Sequence, residues 1–248
     1  MILLVDNSNT RTKFMLAERE RMLVDSLVSI PTAGLTRENV ADVVKEMPIR
    51  GVILASVVPP AAAIIQESFG GKCPVITLDT ETMVTGVQYD YPGTETLGAD
   101  RIANIIAAAH HYPLPCVAVD AGTAITFDVV LPGKEKARFV GGVISPGIST
   151  MLSSLCSGTA LLPKVQISLP VAPIGSSTQE AIQAGVYWGA CGMVDKVLQQ
   201  IEDTLKCSPY VVATGGDAPL LASQCKKIDK VDDLLTFRGL WRVAQDVL

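Results

Sequence analysis

The sequence has few of the residues on which several common enzyme classes depend. It contains two histidines, His110 and His111, which stand just before Pro113. We expect them at the end of a helix, where an imidazolium is mildly stabilised without doing chemistry, so a Ser-His-Asp hydrolase is disfavoured. The six cysteines include no C-x-x-C pair, which disfavours a zinc ribbon or a thioredoxin-like site. We expect buried or half-buried thiols in a reducing compartment.

Long apolar runs and clusters of basic residues are also missing. No stretch reaches the roughly 18 apolar residues that a membrane helix needs, and the first residues, MILLVDNSNT, lack the basic segment of a signal peptide. We therefore expect a cytoplasmic protein. The net charge is −5 and the Lys and Arg residues are scattered, so a small-molecule partner is favoured over a nucleic acid or a membrane. With 48% hydrophobic and 18% charged residues, the chain can bury a large core.

A similar phrase occurs at the start of the chain and near its middle, VDNSNTRTKF from Val5 and VDAGTAITF from Val119. Asp6 corresponds to Asp120, and each phrase predicts a strand, a tight turn of small residues and a returning strand. Such a turn lets backbone N–H groups approach an anion, while the aspartate at the strand end can hold a cation or its water. Two such turns facing one another would form a nucleotide cleft. The alternative is two unrelated hairpins that both begin with an aspartate.

Hydrophobic periodicity predicts a similar order of elements in both halves of the chain. The predicted strands are 2–7, 12–18, 22–30, 51–58, 75–78, 116–120, 124–131, 137–144 and 210–213. The predicted helices are 36–47, 59–69, 99–112, 147–157 and 178–206, followed by two short helices. The repeated plan predicts a duplicated α/β fold with domains at 1–114 and 115–248.

The predicted helix from Ala99 places Gly98, Asp100 and Arg101 at a helix N-terminus, where unpaired N–H groups attract anions. Asp100 also has a simpler explanation, because the helix dipole favours a carboxylate in the first turn and Arg101 could be its partner.

Four motifs stand in one order along the chain: DNSNTRTK at 6–13, LGADR at 97–101, VDAGTAITFD at 119–128 and GGVISPG at 141–147. In this order and spacing they resemble the type III pantothenate kinases, of the acetate and sugar kinase, Hsc70 and actin superfamily. The resemblance implies two ribonuclease H-like (actin-like ATPase) domains, each a mixed sheet flanked by helices. It also implies phosphorylation of the 4′-hydroxyl of pantothenate by ATP with Mg²⁺, the first step of coenzyme A biosynthesis.

The resemblance assigns roles to residues of the first half. Asp6 would hold Mg²⁺ through water, and Asp100 would be the catalytic base. The implied ATP- and phosphate-binding turn consists of Asp6, Asn7, Ser8, Asn9, Thr10, Arg11, Thr12 and Lys13. The implied pantothenate-binding residues are Tyr91, Gly98, Ala99, Asp100 and Arg101, with Tyr89 as an alternative to Tyr91.

In the second half, the resemblance implies that Asp120 binds a monovalent cation, K⁺ or NH₄⁺, and that Gly122 and Thr123 bind ATP. Thr178 would reach pantothenate in the neighbouring subunit of a homodimer. The alternative is that Ser177 or Thr178 only caps a helix. TGGD at 214–217 resembles an adenosine-side loop, or is a plain strand-to-helix turn.

The first turn departs from the family pattern, Asp-x-Gly-Asn-Thr, because Ser8 stands in the glycine position. A second reading of the chain is a non-catalytic relative that resembles an accessory transcription factor.

We predict that Ser8→Gly leaves the rate of phosphoryl transfer unchanged or raises it, because glycine allows a closer approach of phosphate. The rate with saturating ATP checks this prediction. A large loss would show that the serine has a role of its own.

Overall fold

Strands and helices alternate along the chain in the computed structural model, which describes residues 1–44, 47–79, 86–159, 161–169 and 172–248. The strands are β1 (Ile2–Asn7), β2 (Arg11–Ala17), β3 (Met22–Pro31), β4 (Gly51–Ser56), β5 (Val75–Thr77), β6 (Val87–Tyr89), β7 (Cys116–Ala121), β8 (Ala124–Leu131), β9 (Ala137–Pro146), β10 (Tyr210–Thr214) and β11 (Lys230–Val231). The helices are α1 (Arg37–Val44), α2 (Pro59–Phe69), α3 (Ala99–His111), α4 (Ile148–Ser157), α5 (Thr178–Leu205), α6 (Ala218–Ala222) and α7 (Leu235–Val247).

One compact unit consists of Met1–Tyr112, Pro132–Val140 and Leu234–Leu248. Its sheet has the strand order β3-β2-β1-β4-β5, with β1 antiparallel to β2 and parallel to β4. The central strands β1 and β4 are buried along almost their whole length, which explains their continuous apolar sequence. The aspartate at the end of β1 is therefore presented by a rigid, buried strand.

The other compact unit consists of Pro113–Leu131 and Gly141–Asp233. Its strands follow the order β11-β10-β7-β8-β9, with β7 antiparallel to β8 and parallel to β10. The first residues of β9 lie in the first unit, where they pair in parallel with β6. The predicted α/β class, with mixed sheets flanked by helices, is confirmed.

Some features of the fold were not predicted. The strands β6 and β11 are three and two residues long, too short to give a period-two pattern. Residues 132–140 and 234–248 join the unit that contains the N-terminal strands, whereas the division into domains 1–114 and 115–248 stays a prediction.

The predicted helix 36–47 includes residues 45 and 46, which lie outside the described residues. Cys207 is exposed, contrary to prediction. It lies in the turn after α5, beyond the left-handed residue Lys206 that ends the helix, and so outside the buried face of that helix.

Helix α3 is held in place by α7. Gly239 of α7 lies so close to α3 that a Cβ built on it would be 1.9 Å from the carbonyl oxygen of Ala103. Beside this contact, the buried Thr236 hydroxyl donates to Oδ1 of Asn104 at 2.9 Å. The Trp241 indole donates to the carbonyl oxygen of Glu18 at 3.0 Å, which fixes α7 against the β2–β3 turn. Within the described part of the chain, no helix is both long and apolar enough to span a membrane.

We predict that Gly239→Ala lowers the free energy of unfolding by about 1–3 kcal/mol, because the new methyl group overlaps the α3 backbone. Denaturant unfolding measures the change. The matched control is Gly192→Ala in α5, where a Cβ meets nothing within 4 Å. There alanine should raise stability by up to about 1 kcal/mol, and equal losses in both variants would contradict the close packing at Gly239.

Candidate active site

The first Asp-led turn joins β1 to β2 and buries its aspartate. Asp6 is 6% exposed and faces Lys13 across the antiparallel ladder. The ammonium nitrogen of Lys13 lies 3.9 Å from Oδ2 of Asp6, while the Ser8 hydroxyl donates to Oδ1 at 2.9 Å. The turn therefore holds one buried carboxylate between a cation and a hydroxyl donor.

A buried polar network fixes the shape of this turn. The Asn7 amide donates to the Thr12 hydroxyl at 2.7 Å and its Oδ1 accepts from the Ser56 hydroxyl at 2.5 Å. The Thr12 hydroxyl also lies 3.0 Å from that of Thr32, which donates to the carbonyl oxygen of Ser8 at 2.7 Å. The side chains of Asn7 and Thr12 thus lie inside the protein and brace the turn.

The other predicted residues of the turn lie at its tip and edge. Asn9 and Thr10 are exposed, although the carbonyl oxygen of Thr10 accepts from the N–H of Thr32 at 3.1 Å. Arg11 is exposed too, but its guanidinium donates to the hydroxyl of Ser29 at 2.6 Å and to the carbonyl oxygen of Ser29 at 3.1 Å. Its side chain is therefore held along the neighbouring strand β3.

Ser8 adopts a backbone conformation that does not need glycine. Among the described residues, Lys206 is the one non-glycine residue with a positive φ, so Ser8 is not in the left-handed region. Its side chain adds the contact to Asp6 that a glycine could not make. The Ser8→Gly substitution therefore removes a hydrogen bond without relieving backbone strain.

Asp100 lies in the first turn of α3, as predicted, and its carboxylate folds back over the helix N-terminus. Its Oδ1 accepts from the backbone N–H of Arg101 at 2.7 Å. A Cβ at Gly98, the residue before the helix, would lie 2.6 Å from the same oxygen. Glycine at this position leaves the space that the carboxylate occupies, which gives Gly98 a physical role in the GADR motif.

The structure brings Asp100 and Asp6 close enough to interact electrostatically. Burial raises the pKa of Asp6, Lys13 and the Ser8 hydroxyl lower it, and the charge of Asp100 raises it further, with a net shift upward. Two carboxylates from distant parts of the sequence therefore share one region of the first unit. Such a pair suits a reaction that uses one carboxylate for a cation and the other for a proton.

Two predicted substrate residues, Tyr91 and Arg101, both contact the ring of Phe139, which was not a predicted site residue. Tyr91 lies with its ring centroid 5.5 Å from that of Phe139, and Tyr89 lies at 5.9 Å. The Arg101 guanidinium carbon is 5.9 Å from the same centroid. Ala99 is buried at the start of α3. Phe139 stands two residues before the GGVISPG motif. An aromatic residue so near a motif is the sequence feature that could have pointed to a place in the site.

The second Asp-led turn, between β7 and β8, differs from the first in the residue that faces its aspartate. Asp120 is paired with the uncharged Thr126, whereas Asp6 is paired with Lys13. Thr12 and Thr126 each stand six residues after the aspartate, but the first turn is one residue longer, so Lys13 and not Thr12 faces Asp6. The two aspartates therefore have different electrostatic surroundings despite the similar sequences.

Two oxygen atoms, one of Asp120 and one of Ala121, come close to the backbone at residue 215 because that residue is a glycine. Gly215 has φ +94°, and a Cβ there would lie 2.4 Å from the carbonyl oxygen of Ala121 and 2.6 Å from Oδ1 of Asp120. The backbone N–H of Asp217 also donates to the Ala121 oxygen at 3.0 Å. Asp217 precedes α6 and makes no side-chain capping bond, so the TGGD loop joins β10 to α6 without that cap. It packs directly on the second Asp-led turn.

The GGVISPG motif supports the same turn through Gly147. Its N–H donates to the carbonyl oxygen of Thr123 at 2.9 Å, and a Cβ there would lie 1.9 Å from the carbonyl oxygen of Gly122. The Thr150 hydroxyl of α4 donates to the Thr123 oxygen at 2.6 Å. The Thr123 side chain is exposed, so α4 fixes its backbone and leaves its hydroxyl at the surface.

Thr178 is the first residue of α5 and is exposed. The helix cap is Ser177, whose hydroxyl accepts from the N–H of Glu180 at 3.2 Å. The Glu180 carboxylate in turn accepts from the N–H and hydroxyl of Ser176. Ser177 is therefore the residue that caps the helix, and the Thr178 side chain is not needed for capping.

Comparison with known proteins agrees with the motifs. The sequence model described as type III pantothenate kinase matches residues 2–200. The chain belongs to this family. A type III pantothenate kinase from Akkermansia muciniphila is 41% identical over 242 residues, covering 98% of this chain and 97% of that protein. Another, from Methylacidiphilum infernorum, is 39% identical over 246 residues, covering 98% and 88%.

Solved structures share the fold of this type III pantothenate kinase family member at lower identity. A Baf family transcriptional activator from Campylobacter jejuni superposes with a TM-score of 0.61 at 23% identity, covering 98% of both chains. A glucokinase from an Antarctic psychrotroph superposes with a TM-score of 0.52 at 9% identity, covering 97% of both. These likenesses establish the fold, in which sugar kinases also occur.

The residues of the family member suit the ions that its kinase chemistry implies. Mg²⁺ retains several waters and is held by one or two carboxylates together with phosphates, which fits the single buried carboxylate of Asp6. No cluster of three or more His, Cys, Asp or Glu residues that could enclose a metal is present among the described residues. The two oxygens beside Gly215 offer hard ligands of the type that a simple cation prefers.

We predict that Asp6→Asn raises the melting temperature of the ligand-free protein while impairing phosphoryl transfer. The raised pKa of Asp6 means that its charge destabilises the folded state at neutral pH, so a neutral isostere of the same size relieves that cost. For a chain of this size the gain should be about 2–4 °C per kcal/mol recovered. Differential scanning calorimetry without nucleotide or Mg²⁺ measures it.

The matched control is Asp90→Asn, since Arg138 and Gln88 lower the pKa of Asp90. Its charge is favourable in the folded state, so this variant should not melt at a higher temperature. If Asp6→Asn melted at a lower temperature than the parent, the electrostatic description of the first turn would be wrong.

Proposed function

We propose that the chain transfers the γ-phosphoryl group of ATP to the 4′-hydroxyl of pantothenate, the first step of coenzyme A biosynthesis, in the cytoplasm. The observation that carries this proposal is the approach of Asp100, at the head of α3, to the buried Asp6 beside Lys13. Membership of the type III pantothenate kinase family supplies the substrate. In this chemistry the protein mainly positions the reacting oxygens and neutralises charge.

Asp100 acts as the base in this proposal. It accepts the proton of the 4′-hydroxyl as the oxygen approaches phosphorus, so the nucleophile gains charge only as the new bond forms. The N–H of Arg101 already holds one oxygen of the carboxylate, which orients the group for that task. Its nearness to Asp6 places the base beside the cation-binding residue.

Asp6 and Lys13 act on the phosphate side. Asp6 orients the water shell of Mg²⁺, and Lys13 offsets negative charge on the transferred group. Mg²⁺ bound with ATP supplies charge neutralisation at the phosphates. Asn9 and Thr10 offer donors from the exposed tip, while Asn7, Ser8, Arg11 and Thr12 hold the turn in shape.

The remaining predicted residues bind ATP, the monovalent cation or pantothenate. Gly122 and Thr123 form the second nucleotide turn, and Asp120 binds K⁺ or NH₄⁺ with help from the carbonyl oxygen of Ala121. Arg101 binds the carboxylate or amide oxygens of pantothenate with its planar guanidinium.

The other contacts to pantothenate come from the loop before α3 and from a second subunit. Tyr91, Gly98 and Ala99 line its pocket. Thr178 reaches the substrate of the neighbouring subunit in a homodimer, since the Ser177 cap leaves its side chain exposed.

We predict that Asp100→Asn lowers kcat by about 10²–10⁴-fold, the usual contribution of a positioned base, with the melting temperature and ATP binding little changed. The assay is pantothenate-dependent ADP release from ATP, run with and without K⁺. The matched control, Asp42→Asn on the exposed face of α1, should retain the parent rate.

Near-normal turnover by Asp100→Asn would show that the base is assigned wrongly. Absence of pantothenate-dependent ADP release from the folded parent would instead favour the non-catalytic reading of the chain.

A further inference from the structure

A short parallel ladder places Phe139 beneath the residues proposed to bind pantothenate. β6 pairs with the first residues of β9, so that Tyr89 stands beside Phe139, and the N–H of Asp90 donates to the carbonyl oxygen of Phe139 at 2.9 Å. The Phe139 side chain is fully buried. Its ring is therefore a fixed surface and not a mobile loop side chain.

Three side chains from two parts of the chain converge on this ring. Tyr91 packs at 5.5 Å with its plane tilted by 55°, and Tyr89 packs at 5.9 Å and 61°. Both geometries are those that aromatic pairs prefer. Arg101 comes from α3 and places its guanidinium carbon 5.9 Å from the centroid, at the outer limit of a cation–π contact.

A polar clamp holds the ladder in register beside the ring. The Arg138 Nε donates to Oδ2 of Asp90 at 2.6 Å, and a second guanidinium nitrogen contacts the same oxygen. The Gln88 amide donates to the other carboxylate oxygen at 2.6 Å. Residues 88–91 are thereby tied to β9, and Tyr91 is kept at the ring.

We propose that Phe139 is a positioning residue for pantothenate binding, acting through Arg101 and Tyr91. The inference rests on the function proposed above. An arginine side chain has many rotamers, and ordering it on binding a carboxylate costs conformational entropy. A buried ring that already restricts the guanidinium lowers that cost for substrate binding, while the phosphate side of the site is not involved.

The test is Phe139→Leu in the full chain, assayed by pantothenate-dependent ADP release. We expect the KM for pantothenate to rise about 3- to 10-fold, the range of an exposed to partly desolvated cation–π contact. The KM for ATP and kcat should stay within about twofold of the parent, because the ring contacts that carry the inference are with Tyr89, Tyr91 and Arg101.

Two controls separate positioning from general loss of packing. Phe69→Leu removes a ring that is also buried in the first unit, at the end of α2, and should leave the KM for pantothenate unchanged. With pantothenol, in which a primary alcohol replaces the carboxylate, the penalty of Phe139→Leu should shrink to less than about twofold, because Arg101 then has no carboxylate to bind.

Each outcome decides the inference. An unchanged KM for pantothenate in a folded Phe139→Leu, an equal rise in Phe69→Leu, or an equal penalty with pantothenol would overturn it. Phe139→Met, which fills most of the same volume without a ring, is measured in parallel and should also raise the KM. If neither variant at 139 folds, the ring is a core residue and the inference is wrong. A parent protein without activity on pantothenate would refute the proposed function instead.

Discussion

The buried carboxylate of Asp6 is the constraint around which the first unit is arranged. A charged group at the end of a central strand loses its hydration, and burial alone would favour the neutral form. Lys13 lies opposite on the returning strand and the Ser8 hydroxyl is in hydrogen-bonding contact. The pKa of the Asp6 carboxyl group nevertheless remains raised. The first turn therefore holds a carboxylate whose charged form burial disfavours, a feature that is common at functional sites.

The two Asp-led turns have similar sequences but place their aspartates in different electrostatic surroundings. In the first turn a lysine faces the aspartate and places a positive charge beside it. In the second turn Thr126 takes that place, while Gly215 leaves room for a carboxylate oxygen of Asp120 and the carbonyl oxygen of Ala121. The first arrangement suits an anion and a hydrated divalent ion, and the second suits a simple cation. The different ladder partner arises from one extra residue in the first turn.

The site residues depend on packing that lies outside the motifs. Asp100 and Arg101 are carried by α3, whose position is set by the close contact of Gly239 and by the Thr236–Asn104 hydrogen bond. Arg101 and Tyr91 in turn meet on Phe139, held by the clamp between Asp90 and Arg138. Helix α7, at 235–247, lies beyond residues 2–200 that match the family. It nevertheless supports the helix that carries the proposed base.

Local patterns in the sequence determined most of the elements and the order of the site residues. Helix α2 has the predicted bounds, and α3 begins at Ala99 as predicted, because proline positions and apolar periodicity are local signals. The Asp-led turns and GADR motif were visible for the same reason. Tertiary structure alone decided which distant groups meet: Asp6 with Asp100, Phe139 with Arg101, and residues 234–248 with the first unit. Those contacts depend on how strands pair and helices pack, which no short window of sequence encodes.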